Sequence, residues 1–260
     1  MIQEILHVAV YQFDLFWEDP EANRAKIERW LKKTNENIDV IFLPEMFSTG
    51  FTMHVETMAE PMNGATIQWL KEKSSEYQVA FCGSIIIREN GEYFNRILFV
   101  EPSGAIKVYD KRHLFAIGNE DKHFRRGTER TIINYKGWRI CPMICYDLRF
   151  PVWARNHNDY DILFYAANWP QNRKEVWNTL LMARAFENQT YVVGANRVGV
   201  DGNSISYSGN SQLIDAKGRI ISDTEDYYEN IVSGKFSYSD LMKFRANFPV
   251  LPDADPFVLM

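Results

Sequence analysis

Apolar, often β-branched segments alternate with amphipathic ones along most of this chain. Apolar runs and alternating patterns predict strands at residues 5–12, 38–43, 79–87, 93–100, 106–110, 161–166, 190–196, 206–214 and 230–236. Helical periodicity predicts helices over residues 21–33, 65–77 and 173–188. Strands that alternate with helices and hairpins predict a sheet-rich α/β core, and not a helix bundle or a simple β-sandwich.

Two local signals fix turns in this pattern. Asp19-Pro20 predicts a helix start, with the aspartate as cap and the proline in the first turn. Asn90-Gly91 predicts a tight hairpin between two neighbouring strands. Because the pattern shows no internal repeat, linker or low-complexity tract, we expect a single domain over residues 1–260.

The end of the chain, residues 248–260, differs from the rest. It contains three prolines, which exclude a regular helix, together with several apolar residues. One interpretation is a frayed terminus. The other is an extended arm that packs on another surface.

Composition narrows the class of protein. Hydrophobic residues make up 46% and aromatic residues 14% of the chain, enough for a substantial core. The net charge of −5 and the absence of a long basic run argue against a nucleic-acid-binding surface. The sequence contains no run of about 18 apolar residues, the length needed to span a membrane. Three cysteines are too few for a disulfide framework, and the first residues lack the basic start of a signal peptide, so we expect a cytoplasmic protein.

Three predicted strands lead to residues that are candidates for catalysis. A buried strand runs into Cys145, the run at residues 38–43 leads to Glu45, and the run at residues 106–110 ends directly before Lys111. Taken singly, each has an ordinary structural interpretation: a free cysteine is usually a small buried hydrophobe, and strand ends often carry a solvated charge. Because sites in open α/β sheets lie at the carboxyl ends of strands, the three together indicate a thiol, a base and a cation suited to acyl transfer.

Other chemistries have less support. The five histidines form no pair at metal-ligand spacing, so we expect no metal site, and Cys141 is expected to be core packing rather than a redox partner of Cys145. No glycine-rich phosphate loop follows the first strand, so we expect no nucleotide or other cofactor. A Cys–His arrangement that uses His113 stays open, but it leaves Glu45 and Lys111 without roles.

The sequence around these residues resembles the nitrilase superfamily of carbon–nitrogen hydrolases. Its three signature segments are matched, in the family's order, by Leu43-Pro-Glu-Met-Phe47, Tyr109-Asp-Lys-Arg-His-Leu-Phe115 and Cys145-Tyr-Asp-Leu-Arg-Phe-Pro151. Three further segments are similar to the omega-amidase branch, including its bacterial members: Ala166-Ala-Asn-Trp-Pro170, Ala183-Arg-Ala-Phe-Glu-Asn-Gln189 and Asn196-Arg-Val-Gly199. The resemblance covers nearly the whole chain.

The resemblance implies a four-layer α-β-β-α sandwich of the nitrilase type and a Glu–Lys–Cys triad. In that interpretation Cys145 is the nucleophile, Glu45 the general base and Lys111 the positive charge at the oxyanion, with the backbone N–H of Tyr146 as a second donor. Glu120 is expected to be the second glutamate that holds the lysine in related enzymes. The family also implies a homodimer, with the C-terminal arm as one contact.

The omega-amidase branch implies a small dicarboxylic acid monoamide as substrate, such as the omega-amide of a 2-oxo acid. We expect Arg173 to bind the free carboxylate of the substrate, with Arg149 as a second candidate, and Phe47 and Trp169 to form apolar walls. Alternatively, Arg173 caps the following helix and Arg149 forms a structural salt bridge. A nitrilase or another amidase with the same triad, and an inactive binding protein on this fold, are the alternative functions.

Overall fold

The computed structural model describes residues 2–34 and 37–257. Its helices are α1 (Pro20–Leu31), α2 (Val55–Met58), α3 (Ala65–Tyr77), α4 (Glu120–His123), α5 (Lys174–Asn188) and α6 (Tyr238–Asn247). Its strands are β1 (Ile5–Gln12), β2 (Val40–Phe42), β3 (Ala80–Glu89), β4 (Glu92–Val100), β5 (Ile106–Asp110), β6 (Ile133–Tyr135), β7 (Trp138–Ile144), β8 (Ile162–Ala166), β9 (Tyr191–Ala195), β10 (Val198–Val200), β11 (Ser206–Ser208), β12 (Gln212–Ile214), β13 (Ile220–Asp223) and β14 (Asn230–Ser237).

The strands form two six-stranded sheets and one small hairpin. The first sheet has the order β14-β1-β2-β3-β4-β5, the second has the order β13-β12-β9-β8-β7-β6, and β10 pairs with β11. At the centre of the first sheet β1, β2 and β3 run parallel, and at the centre of the second β7, β8 and β9 do so. The carboxyl ends of these parallel strands are therefore the place to look for a site.

Packing arranges the elements in four layers. The inner faces of the sheets share one core, in which Val8 and Val10 of β1 lie in the same cluster as Ile140 of β7. Helices α1 and α3 cover the outer face of the first sheet through buried residues such as Ile27 and Leu70. Each large apolar side chain buried in this way stabilises the fold by about 1.5–3 kcal/mol. The predicted α-β-β-α sandwich is confirmed.

The outer face of the second sheet is covered by α5, and a glycine lets the helix approach. A Cβ built on Gly194 of β9 would lie 2.5 Å from Leu181 Cδ1 and 2.8 Å from Trp177, both on α5. A larger residue at position 194 would therefore force the helix away from the sheet. The close contact carries α5, and the loop before it, to the carboxyl end of β8.

Most predicted elements are present with small shifts of their ends. Asp19 accepts a hydrogen bond from the Ala22 N–H at 2.9 Å, and Pro20 is the first residue of α1, as the sequence predicts. Asn90 and Gly91 both have positive φ angles, 52° and 80°, in the turn between β3 and β4. The strand predicted over residues 206–214 is instead two strands, β11 and β12, because Gly209 has a φ of +82° and interrupts the extended run.

The end of the chain is irregular, as its prolines predict. A single 3₁₀ turn spans Leu251–Asp253, and Leu251 is buried whereas Phe248 is exposed. Residues 258–260 of the predicted arm lie outside the described residues. Over residues 2–34 and 37–257, no helix has the length and apolar character needed to cross a membrane.

Candidate active site

The carboxyl ends of four strands converge between the two sheets. Glu45 follows β2, Lys111 follows β5, Cys145 follows β7 and Asn168 follows β8. The first two belong to one sheet and the last two to the other. Side chains distant in sequence are thus brought to one place by the packing of the sheets.

Glu45, Lys111 and Glu120 form a buried ionic cluster. The Lys111 ammonium donates to Glu45 Oε1 at 2.8 Å and to the two carboxylate oxygens of Glu120 at 3.0 and 2.8 Å. All three side chains are shielded from solvent, with 0% of each exposed. Burial alone would lower the pKa of Lys111, but the carboxylates of Glu120 and Glu45 raise it above its ordinary value, so the lysine carries a positive charge.

Glu120 is held in turn by the backbone. Its Oε2 accepts the N–H of Phe115 at 2.7 Å, which fixes the carboxylate beneath Lys111. Burial raises the pKa of Glu120, while the adjacent lysine opposes this shift. The structure therefore places Glu120 in direct contact with Lys111, where the sequence expected a second glutamate.

Two asparagines fix the orientation of Glu45. Asn95 Nδ2 donates to Glu45 Oε1 at 2.8 Å and to Glu120 Oε1 at 3.0 Å. Asn168 donates its backbone N–H to Glu45 Oε2 at 2.9 Å and its side-chain Nδ2 to the Glu45 carbonyl oxygen at 2.6 Å. Glu45 Oε1 thus accepts two donors and Oε2 accepts one, so Oε2 retains a lone pair for proton transfer.

Cys145 is the first residue of a sharp turn. Its φ of +43° lies in the left-handed region, which costs a residue with a side chain about 1–2 kcal/mol. The Cys145 Sγ lies 3.9 Å from the carbonyl oxygen of Asn168. Burial and the nearby Glu45 carboxylate raise the pKa of the thiol well above its ordinary value, against the opposing effect of Lys111. At neutral pH the thiol therefore keeps its proton and needs a base to become a nucleophile.

The side chain of Asp147 connects the turn that begins at Cys145 with the segment that contains Lys111. Its buried carboxylate accepts the Ile144 N–H at 3.0 Å and the Tyr109 hydroxyl at 2.7 Å through Oδ2. Through Oδ1 it accepts the His113 N–H at 2.9 Å and lies 2.8 Å from His113 Nδ1. His113 stacks on Phe150 with 3.8 Å between ring centroids. The structure thus places His113 against Asp147, which gives it a structural role and not that of a partner for the thiol.

A cavity of about 430 Å³ opens onto these residues. Glu45, Lys111 and Cys145 lie at its base, and Tyr146 and Trp169 line it as the sequence expects. Phe47 does not line it, which corrects one prediction. Phe47 is fully buried in the core, because the left-handed conformation of Met46 (φ +45°) turns the chain inward directly after Glu45. Apolar walls are provided instead by Phe51, Met53, Phe115, Ile205 and Tyr207.

Two arginines lie at the wall of the cavity. The Arg149 guanidinium lies 5.1 Å from the centroid of the Trp169 ring, and that of Arg173 lies 5.7 Å from the centroid of Phe115. Within the described part of the chain, neither forms an ion pair with a carboxylate. The salt bridge considered for Arg149 is therefore absent there, and both cations face the cavity.

The sequence pattern did not assign roles to Asn95, Asn168 or Asp147. Asn168 and Asp147 each stand within three residues of a predicted strand end, and that position was the available signal. Asn95 lies inside β4, so its position in the sequence gives no such signal. In residues 2–34 and 37–257, no group of His, Cys, Asp or Glu side chains is arranged to hold a metal ion.

The chain is similar to members of one known family. The family model for carbon–nitrogen hydrolases matches residues 7–246. The omega-amidase YafV of Escherichia coli is 41% identical over 254 residues, covering 98% of each chain, and the 2-oxoglutaramate amidase of Bacillus subtilis is 31% identical over 251 residues, covering 95% of this chain and 96% of that protein. The crystal structure of XC1258 from Xanthomonas campestris, a CN-hydrolase superfamily protein with an arsenic adduct in its active site, superimposes with a TM-score of 0.96 at 39% identity and covers 99% of this chain and 100% of that one.

Proposed function

This chain belongs to the carbon–nitrogen hydrolase family, and on that premise we propose that it is an omega-amidase that uses Cys145, Glu45 and Lys111. It hydrolyses the omega-amide of a small dicarboxylic acid, of the 2-oxoglutaramate or 2-oxosuccinamate type, to the acid and ammonia. The observation that carries the proposal is the buried Glu45–Lys111 pair, with 2.8 Å between Oε1 and Nζ, beside a protonated thiol that lines the cavity. The two similar amidases support the substrate class.

Acylation needs a base because the thiol is protonated at rest. The Cys145 sulfur attacks the amide carbon as its proton passes to Glu45, which forms a C–S bond and a tetrahedral oxyanion. The C–N bond then breaks as Glu45 returns the proton to nitrogen, so that ammonia leaves and a thioester remains. A positioned general base of this kind contributes roughly 10²–10⁴ in rate.

Deacylation uses the same carboxylate. Glu45 takes a proton from water as the oxygen attacks the thioester carbon. The C–S bond then breaks, the Cys145 sulfur recovers a proton, and the carboxylic acid is released. One base serves both half-reactions because the attacking water takes the position next to Glu45 that the departing ammonia has left.

Lys111 and the backbone N–H of Tyr146 stabilise the oxyanion. The lysine is held by Glu45 and Glu120 and therefore needs no reorganisation when the charge develops. A preorganised donor is worth about 2.7–4 kcal/mol in the transition state. Glu120 takes no proton in this scheme; it fixes the position of the ammonium group.

Substrate selection rests on the arginines. Arg173 binds the free carboxylate of the substrate with two parallel hydrogen bonds, and Arg149 is the second candidate for that contact. Both are supported by their place in the cavity wall and by their lack of a carboxylate partner within the described residues. Trp169 provides an apolar wall that limits the length of the substrate.

A nitrilase shares the triad but has no need for an unpaired cation in the pocket, so the arginines favour the amidase. An inactive binding protein is disfavoured because Glu45, Lys111 and Cys145 are all present and in contact range. The cytoplasm is the proposed location, supported by the free thiols of Cys82, Cys141 and Cys145. A homodimer is the proposed assembly.

The test is ammonia release from a panel of succinamate, 2-oxoglutaramate, simple aliphatic amides, N-carbamoyl compounds and nitriles. Wild-type enzyme should prefer the amides that bear a carboxylate. Arg173→Met should lose that preference mainly through a raised KM, and Arg149→Met is the matched variant that decides between the two arginines. Faster turnover of nitriles or uncharged amides by wild-type enzyme would contradict the proposal.

A further inference from the structure

The peptide unit that joins Glu45 to Met46 is held at both ends by side chains. Its N–H, which belongs to Met46, donates to Ser84 Oγ at 2.8 Å. Its carbonyl oxygen, which belongs to Glu45, accepts a hydrogen bond from Asn168 Nδ2 at 2.6 Å. Because a trans peptide unit is planar and its N–H and C=O point in opposite directions, the two hydrogen bonds fix the orientation of the whole plane.

The two side chains that hold this peptide unit come from different sheets. Ser84 lies in β3 of the first sheet, and Asn168 follows β8 of the second. Both residues are buried, as are Glu45 and Met46, so water does not compete for either hydrogen bond. The peptide unit next to the base therefore bridges the two sheets.

The chain needs this support because it turns sharply after the base. Met46 has a φ of +45°, in the left-handed region that a residue with a side chain disfavours. Strand β3 follows the turn closely, and the Phe47 N–H donates to the Ser84 carbonyl oxygen at 3.1 Å. A Cβ built on Gly83 would lie 2.7 Å from Leu43 Cβ, so a glycine is required for this approach. The backbone around the base is thus shaped by β3.

We infer that Ser84 is a positioning residue: by holding the N–H of the peptide unit after Glu45, it directs the base towards Cys145. This inference rests on the proposed function, in which Glu45 transfers the proton. Side-chain contacts hold the carboxylate, whereas Ser84 holds the backbone from which the Glu45 side chain starts. Because Ser84 does not line the cavity, its effect on the reaction passes through Glu45.

The first test is Ser84→Ala, which leaves the buried Met46 N–H without its acceptor. We expect kcat for the omega-amide to fall about tenfold while KM stays near that of wild type. The loss is smaller than the roughly 10²-fold effect of a 1 Å displacement, because Asn168 still holds the other end of the peptide unit. Ser84→Thr keeps the hydroxyl and should restore most of kcat, even where its extra methyl group lowers Tm. If Ser84→Ala does not fold, Ser84→Cys keeps the size of the side chain, provides only a weak acceptor and should show the same loss of kcat.

Ser74→Ala is the matched control for stability. Ser74 is also a fully buried serine, and its Oγ donates to the Val79 carbonyl oxygen at 2.6 Å, but it lies on α3, away from the cavity. Its loss should lower Tm and leave kcat and KM unchanged. A lower Tm alone is therefore not the effect that the inference predicts for Ser84.

The second test follows the alkylation of Cys145 by iodoacetamide against pH and needs no substrate. A displaced Glu45 carboxylate acts less strongly on the sulfur, so the midpoint in Ser84→Ala should move to lower pH, part of the way to that of Glu45→Gln. When Glu45→Gln is already present, adding Ser84→Ala should cause no further shift. A wild-type kcat and midpoint in Ser84→Ala, or an equal shift with and without the Glu45 carboxylate, would overturn the inference. A wild-type enzyme that hydrolyses no omega-amide would instead contradict the proposed function, and the alkylation comparison would still decide whether Ser84 acts through Glu45.

Discussion

At the scale of single residues, the site depends on how four charged or ionisable groups share one small space. Two carboxylates, Glu45 and Glu120, surround one ammonium, Lys111, so the cluster already carries an excess of negative charge. A thiolate at Cys145 would add a further anion to this space. Cys145 therefore rests as a thiol, and in the proposed mechanism Glu45 removes its proton.

The pKa of Cys145 should respond to the charge of Glu45. Burial and then Glu45 raise this pKa, and an anion next to the sulfur disfavours the anionic thiolate. Glu45→Gln removes that anion, so the pKa of the thiol should fall and the midpoint of Cys145 alkylation by iodoacetamide should move to lower pH, while amide hydrolysis is lost. The measurement is the rate of alkylation against pH, with peptide mapping to assign the modified cysteine.

Glu56→Gln on the exposed helix α2 is the control for this pH profile and should leave the midpoint unchanged. An unchanged or higher midpoint in Glu45→Gln would show that Glu45 does not act on the thiol.

Lys111 should have separable effects on stability and catalysis. Lys111→Met leaves Glu45 and Glu120 buried without their cation, and breaking a buried ion pair in this way costs about 3–5 kcal/mol of unfolding free energy. The double variant Lys111→Met/Glu120→Gln removes one of the two carboxylates and should regain part of that loss. Neither variant should recover kcat, because the charge at the oxyanion is missing in both.

Denaturant unfolding and steady-state kinetics on the same samples measure the two effects of Lys111. Lys122→Met, at an exposed lysine of α4, should change neither. Near-normal turnover in Lys111→Met would remove the lysine from the mechanism.

At the scale of elements, sequence and structure agree where local chemistry decides the outcome. The cap at Asp19, the hairpin at Asn90 and Gly91 and the strand ends before Lys111 and Cys145 all follow from short-range signals. Helix α6 was not predicted, although Ser237 caps it by accepting the Asp240 N–H at 3.2 Å.

The contacts that complete the site could not be predicted from the sequence. Asn168 reaches Glu45 across 123 positions and Asn95 reaches it across 50, and these contacts depend on how the sheets pack and on side-chain rotamers. Phe47 is the converse case, a residue that the sequence predicted in the cavity and that the structure places elsewhere. It was expected to form an apolar wall of the cavity, but the backbone conformation of Met46 sends it into the core.

The hydrogen bonds of Asp147, which connect β5 and its following segment to the turn after β7, should be needed for full catalytic activity. Asp147→Asn replaces one acceptor oxygen by a donor, so either the hydrogen bond from the Ile144 N–H or the one from the His113 N–H is lost, depending on the orientation of the amide. The turn that holds Cys145 would then shift relative to Lys111. We expect a loss in kcat on the order of 10²-fold, the effect of a displacement of about 1 Å, together with a lower Tm.

Tyr109→Phe keeps both backbone contacts of Asp147 and should have a clearly smaller effect on kcat, although Tm should also fall because Trp153 Nε1 loses its acceptor, the Tyr109 hydroxyl. The comparison is made by steady-state kinetics and thermal unfolding. Equal losses in the two variants would show that Asp147 does not act by joining the two segments.

At the scale of the whole molecule, the two sheets pack against each other through a hydrophobic core that both share. Val10 of the first sheet and Ile140 of the second lie in the same buried cluster. The single domain over residues 1–260 stays a prediction. The outer face of α5 is less completely covered. Met182 and Phe186 line a shallow groove there with Ile220, and 55% of Phe186 and 45% of Ile220 are exposed.

This groove is the surface on which we expect the homodimer to form. Two copies related by a two-fold axis can bury Met182, Phe186 and Ile220 of both chains against each other, and closed two-fold symmetry is the commonest arrangement of homo-oligomers. Light scattering of the full chain should therefore give about twice the chain mass of 30.4 kDa at micromolar concentration.

Phe186→Glu places a charge in the groove and should shift the mass towards one chain. Phe16→Glu makes the same change at a phenylalanine that is 46% exposed before α1, on the outer layer of the other sheet, and should leave the dimer intact. A wild-type mass near one chain would contradict the dimer, and a dimer that survives Phe186→Glu would place the interface elsewhere.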